Sequence, residues 1–189
     1  MQHRIHERAL LDALESIPPT KYSNSVWRIC RHGRDPIQEW KVVGRWSDGG
    51  FPVIYTSIES KTAQAEVHFH YYQKQPIPPS KLNLNLHELN INLVQALKLL
   101  DTSRLSSVGV TAEMLYEKSF SKVIQLGYPV MQAVGAAANF LGFDGLIVPS
   151  ARIKGSNIVL LTDNIAPQSE ISVVSTKAID LKSWLPSLG

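Results

Sequence analysis

The spacing of apolar residues changes character several times along the chain. Leu10, Ala13, Leu14 and Ile17 fall on one face of a helix over residues 4–17, and Pro18-Pro19 end it. A β-type run follows from Ser25 to Cys30, holding Trp27 and Arg28. The turn-rich stretch Gly44-Arg45-Trp46-Ser47-Asp48-Gly49-Gly50 leads into a second short strand, Val53-Ile54-Tyr55-Thr56. Ser60 is placed to cap a helix reaching about Gln73, before Pro76, Pro78 and Pro79. Leu82, Leu84 and Leu86, then Leu89, Ile91 and Leu93, alternate with polar partners at the period of half-buried strands. Thr111 caps a short helix with Met114 and Leu115. Pro129 fits the first turn of a charge-free helix that stops at Gly142. Strands at Gly145–Val148, Asn157–Leu161 and Ile171–Ser175 complete the pattern. Helices and strands mix without regular alternation, so the fold class is α+β, as a single domain with no internal repeat or linker.

Composition narrows the function. The 189 residues are 44% hydrophobic, enough to bury a sizeable core. Nineteen basic and sixteen acidic residues leave +3, spread evenly along the chain. No basic run exists, which argues against a nucleic-acid surface and leaves room for a compact site for one small anion. Cys30 is the only cysteine, so an internal disulfide and a multi-cysteine zinc site are excluded, in keeping with a cytoplasmic setting. The opening MQHRIHERALLDALESIPP has no apolar core of a signal peptide, and Glu7, Asp12 and Glu15 argue against a transit peptide. Val123 to Phe143 is free of charge over a length that can span a bilayer. Gln125, Pro129, Gln132 and Asn139 interrupt it, so a buried helix and no membrane association is the expectation.

Few residues invite chemistry. Glu66 lies between two apolar stripes of its helix: Thr62, Ala65, Phe69 and Tyr72 on one side, Ala63, Val67 and Tyr71 on the other. A carboxylate so placed needs a partner or a task; a structural ion pair and a functional role both fit. His68 and His70 are two apart, which on a helix points them to different sides, so a metal site is not expected. His70 is expected to pack near Glu66, with His68 toward solvent. Arg28, beside Trp27, and Arg45, in its glycine-bounded turn, read either as ordinary surface arginines or as forks for a phosphate. Ser150 ends a strand beside Pro149; a turn serine and a site-lining serine both suit it. Nucleophile-elbow, Walker and dinucleotide fingerprints are absent from the sequence.

Taken in order, the segments VWRIC around Arg28, GRW around Arg45, VIYTS around Tyr55 and AQAEVHFH around Glu66 resemble the RES domain family. The block YPVMQAVGAAANFLGFDGLIVPSARIKGSNIVLL, from Tyr128 to Leu161, carries the resemblance furthest. It implies an ADP-ribosyltransferase-like fold of mixed sheets flanked by helices, with a helical extension over 1–24 and the NAD-binding domain over 25–189. It also implies a toxin of a toxin–antitoxin pair that cleaves the bond between nicotinamide and ribose of NAD. Phosphate (a phosphorylase) or water (a glycohydrolase) would be the acceptor; transfer of ADP-ribose to a macromolecule, or a non-catalytic interaction role, are the alternatives. Carried over by motif, Arg28, Glu66 and Ser150 are the expected catalytic residues, and Arg45 and Tyr55 the substrate-binding ones. One arginine would grip the pyrophosphate and the other steer phosphate. Tyr55 would stack on nicotinamide or ribose, and Ser150 orient either. NAD is then substrate rather than cofactor, inorganic phosphate a co-substrate. The partner implied is a helix-turn-helix antitoxin, with self-association open. The helix at 4–17 and the segment from about 90 to 122 match the pattern least, either shaping a partner interface or covering the core.

Overall fold

A closed ring of strand pairings organises the computed structural model, which describes residues 6–73, 82–117, 123–166 and 171–182. Strand β1 (Thr20–Arg31) runs antiparallel to both β2 (Val53–Ser57) and the long β3 (Leu84–Lys98). β2 pairs with β5 (Ser156–Leu161), β5 with β4 (Gly145–Pro149), and β4 returns in parallel to the end of β3. The last strand, β6 (Ser172–Ile179), lies on the outer edge of β3. Mixed pairing in one sheet with helices packed against it is the α+β architecture the sequence pattern implies.

The two faces of this sheet bury different residues. Val26, Ile54, Leu89, Ile91, Leu93, Ile147, Ile158 and Leu160 pack together on one. On the other, Val53, Leu97, Leu146, Val148, Val159 and Leu161 meet the helices. These are α1 (Arg8–Glu15), α3 (Thr102–Ser107), α4 (Ala112–Tyr116) and α5 (Tyr128–Phe140). The α1 stripe behaves as its spacing dictates: Leu14 is fully buried and Ile17 nearly so. Leu105, Val108, Val110 and Leu115 fill the same core, so α1 and the described part of 90–117 cover it. Thr111 caps α4 by accepting from the Met114 N–H at 3.2 Å. α5 carries Pro129 in its first turn and ends at Gly142, whose φ of 83° suits glycine. No helix among the described residues is long and apolar enough to cross a membrane.

Several elements differ from the expectation. β1 begins at Thr20, because Thr20–Asn24 pair with β3 while burying little, which leaves no apolar signature. The two alternating runs of the sequence are one strand, β3, and Leu82 lies outside it. Glu59, not Ser60, occupies the cap of α2 (Ser60–His68); its Oε2 accepts from the Thr62 hydroxyl at 2.9 Å. The helix then changes to a π-helical turn, Phe69–Gln73. Pro76, Pro78 and Pro79 lie outside the described residues.

Candidate active site

The helix-facing side of β2 and β5 grades from apolar to polar. Cross-strand neighbours on it are Val53 and Leu161, then Tyr55 and Val159, then Ser57 and Asn157. The first pair is core. The other two pairs contribute Tyr55, Ser57, Asn157 and Val159 to the wall of a cavity of about 510 Å³, within the size range of small-molecule sites. Trp27 and Arg28 from β1, Val42 to Trp46 from the turn, Glu66 and His70 from α2 and its π-helical continuation, Tyr128 and Arg152 complete most of the lining.

Glu66 is the fixed point of this cavity. Its Oε1 accepts from the Ser150 hydroxyl at 2.7 Å and from Asn157 Nδ2 at 2.8 Å. Asn157 is itself oriented by the Ser57 hydroxyl, which donates to its Oδ1 at 2.7 Å, leaving Nδ2 aimed at the carboxylate. Among the described residues Oε2 carries no such hydrogen bond; it faces the Arg152 guanidinium, whose Nε lies 3.8 Å away. Both acceptor sites of one oxygen are thus filled while the other oxygen stays available to a ligand. The half-buried position between two apolar stripes agrees with the helical spacing.

Ser150 is not on the cavity wall. It is only 2% exposed and sits behind Glu66, where its oxygen also accepts the Arg152 N–H at 3.1 Å. In this structure its hydroxyl is turned to the Glu66 carboxylate rather than to the cavity, where the expectation was a serine that orients the substrate. The serine also satisfies the turn backbone, as the reading of a turn serine expects.

The turn that carries Arg45 is bolted to the scaffold by two hydrogen bonds and closed by a third of its own. Gln132 Nε2 donates to the Gly44 carbonyl at 2.8 Å. The Trp46 N–H donates to Tyr55 Oη at 3.1 Å, and the Ser47 hydroxyl to the Val42 carbonyl at 2.9 Å. Glycines permit this closeness: a Cβ at Gly135 of α5 would lie 1.8 Å from the Trp46 carbonyl oxygen, and one at Gly44 2.6 Å from Tyr55 Oη. Arg45 then reaches out to stack on Tyr128 at 5.6 Å and to donate to the Leu115 carbonyl at 3.0 Å. Tyr55 contributes its ring to the wall, but burial raises its hydroxyl pKa and the backbone holds its oxygen. Stacking on a ligand is thus open to its ring while the hydroxyl fixes the Arg45 turn.

Arg28 reaches the cavity from β1, with Nη1 tied to the carbonyls of Pro36 and Gln38. Burial lowers its pKa, yet a guanidinium remains charged. His70 lies at the same cavity as Glu66, as the expectation had it, while His68 is less open to solvent than expected. His70 is exposed at the cavity and His68 is half-buried, its ring stacked on Tyr72 at 5.1 Å. No group of three His, Cys, Asp or Glu able to hold a metal occurs among the described residues.

The structure therefore brings Arg28, Arg45, Tyr55 and Glu66 to one cavity, with Ser150 directly behind it. Sequence reasoning missed Asn157 and Arg152. The alternation Asn157, Val159, Leu161 puts Asn157 on the face of the core, and a polar residue there is the signal that it meets a partner.

With this geometry in hand, comparison with known proteins is informative. A family model described as RES domain matches residues 25–182. A chain of the M. tuberculosis MbcT–MbcA toxin–antitoxin complex superposes with a TM-score of 0.78 at 19% identity, covering 93% of this chain and 94% of that one. No curated protein matches the sequence.

Proposed function

From the premise that this chain belongs to the RES domain family, we propose that it is the toxin of a toxin–antitoxin pair and that it cleaves the nicotinamide–ribose bond of NAD. The observation that carries the reading is the Glu66 carboxylate, half tied down and half free, in a cavity lined by three guanidinium groups and several aromatic rings.

Nicotinamide is bound to ribose as a cationic ring and departs neutral, so no general acid is needed. What the reaction requires is stabilisation of the positive charge that grows on the sugar. A carboxylate fixed before the reaction begins supplies it without reorganising. Glycoside cleavage gains from similar contacts, including hydrogen bonds to ribose-type hydroxyls. Oε2 of Glu66 is the atom for both roles, and Ser150 and Asn157 hold it through Oε1. Arg28 and Arg45 supply charge for the pyrophosphate, and Trp27, Tyr55 and Tyr128 offer flat apolar surface for the rings.

The partner reading draws on the mouth of the cavity. Val42 and Val43 line it while remaining 39% and 73% exposed, an apolar rim suited to contact with a protein such as a helix-turn-helix antitoxin.

The test is incubation of folded, purified protein with NAD, with and without inorganic phosphate, followed by separation of the products. ADP-ribose-1-phosphate formed only with phosphate identifies a phosphorylase; ADP-ribose in both cases identifies a glycohydrolase. Label from NAD recovered on protein or nucleic acid would instead make the chain a transferase. Unchanged NAD under every condition overturns the reading.

A further inference from the structure

Three guanidinium groups line the cavity, against one carboxylate, Glu66, among the described lining residues. They are not equally engaged. Arg28 spends Nη1 on two backbone carbonyls, and Arg45 spends Nη1 on a third. Among the described residues Arg152 has no side-chain hydrogen-bond partner, and its Nε is buried without an acceptor. Its side chain is only 14% exposed, so water does not readily replace the missing partner.

The position of Arg152 is nevertheless well fixed. Its guanidinium carbon lies 3.4 Å from the centroid of the Phe69 ring, which covers one face of the planar group. Its backbone N–H is bound by Ser150, the same serine that holds Glu66. Nε stands 3.8 Å from Glu66 Oε2, whereas a closed guanidinium–carboxylate pair brings nitrogen and oxygen to about 2.7–2.9 Å. Arg45 is close enough to act electrostatically on Arg152, so two cations share the cavity and Glu66 offsets the charge of Arg152.

We propose that Arg152 is an oxyanion-binding residue, its uncommitted guanidinium edge taking a phosphate group beside the free oxygen of Glu66. The assignment of phosphate rests on the dinucleotide reading above, because guanidinium also matches carboxylates. Two sources share that chemistry: a phosphate of the dinucleotide itself, or free inorganic phosphate held next to the reacting sugar carbon. In the second case a lone pair of a phosphate oxygen forms the new bond to that carbon. The bond to nicotinamide breaks with its electron pair, and neutral nicotinamide leaves.

Titration of inorganic phosphate into the full chain, without NAD, followed by calorimetry or phosphorus NMR, tests the assignment. Saturable binding to the wild type is expected. R152Q weakens it by about tenfold or more, the equivalent of one charge-assisted hydrogen bond. R152K keeps the charge but not the fork and weakens it less; it also serves should R152Q fail to fold. E66Q removes a like-charged neighbour of the phosphate and strengthens binding. Repeating the titration with ADP-ribose present separates the sources: displacement of phosphate indicates a dinucleotide phosphate at Arg152, and joint occupancy indicates free phosphate. Equal phosphate affinity in wild type and both Arg152 variants overturns the assignment, as does a wild type that never saturates. Because no turnover is involved, phosphate binding through Arg152 in a protein that leaves NAD intact would sink the NAD reading and spare this one.

Discussion

Replacing Ser150 with alanine separates a residue that touches substrate from one that acts through Glu66. The serine donates to Glu66 Oε1 at 2.7 Å and accepts the Arg152 N–H at 3.1 Å, and it is 2% exposed. A hydrogen bond to a charged group is worth about 1.5–3 kcal/mol. Asn157 still grips the same oxygen at 2.8 Å in the variant, so the lower part of that range applies. About 1.5–2 kcal/mol of lost orientation corresponds to a fall of roughly 10- to 30-fold in kcat for nicotinamide release. The orphaned Arg152 N–H costs stability as well, about 1–3 kcal/mol, which chemical denaturation reads separately. The decisive comparison is a double-mutant cycle. If Ser150 works only through the carboxylate, S150A has its full effect in the wild-type background and almost none beside E66A. Additive losses in the two backgrounds would refute a role through Glu66 alone and leave direct contact with substrate or an effect through Arg152, which the R152Q background separates. Full activity in S150A would show that the bond does not position Glu66 at all.

Other consequences are equally open to measurement. Gly135→Ala places a Cβ against the Trp46 carbonyl oxygen, so α5 and the Arg45 turn must separate; a loss of about 1–3 kcal/mol in denaturant unfolding is expected, together with a higher KM for NAD. His87 is buried, with Nδ1 2.9 Å from the Thr176 hydroxyl and Nε2 without a partner, and burial, aided by Arg28, lowers its pKa. The unfolded chain then binds the proton more readily, so stability is complete above the unfolded value of about 6.5 and declines as pH falls below it. Unfolding curves recorded at descending pH should show that decline, and His87→Gln should flatten it. The Cys30 thiol is buried and its pKa is raised by burial, so a thiol reagent at mildly alkaline pH should leave the folded protein unlabelled and react once denaturant is added.

The legible parts of the molecule are those whose signal is local. The α1 stripe, the Thr111 cap, Pro129 at the start of α5 and Gly142 beyond its end each follow from a few neighbouring residues, and each is found in place. Glu66 stood out for the same reason, since a carboxylate between two apolar stripes is a conflict visible on a helical wheel. What escaped is what depends on distant segments. Thr20–Asn24 form strand only because β3 lies beside them. Ser150 and Asn157 meet Glu66 across separations of 84 and 91 residues, so no window of sequence contains the triad. Arg152 carries no local signal, because an arginine three residues past a strand end is ordinary until its buried nitrogen, without a partner among the described residues, is seen.

The central claim is that Glu66, in its cavity, cleaves NAD. Proton NMR of NAD mixed with the purified protein reports it directly, since free nicotinamide gives its own ring resonances. Wild-type protein should produce them with time. E66Q, close to it in shape but without the charge, should slow their appearance by about a hundredfold or more while melting at a similar temperature. Nicotinamide released at the same rate by both proteins, or by neither when both are folded, would contradict the account.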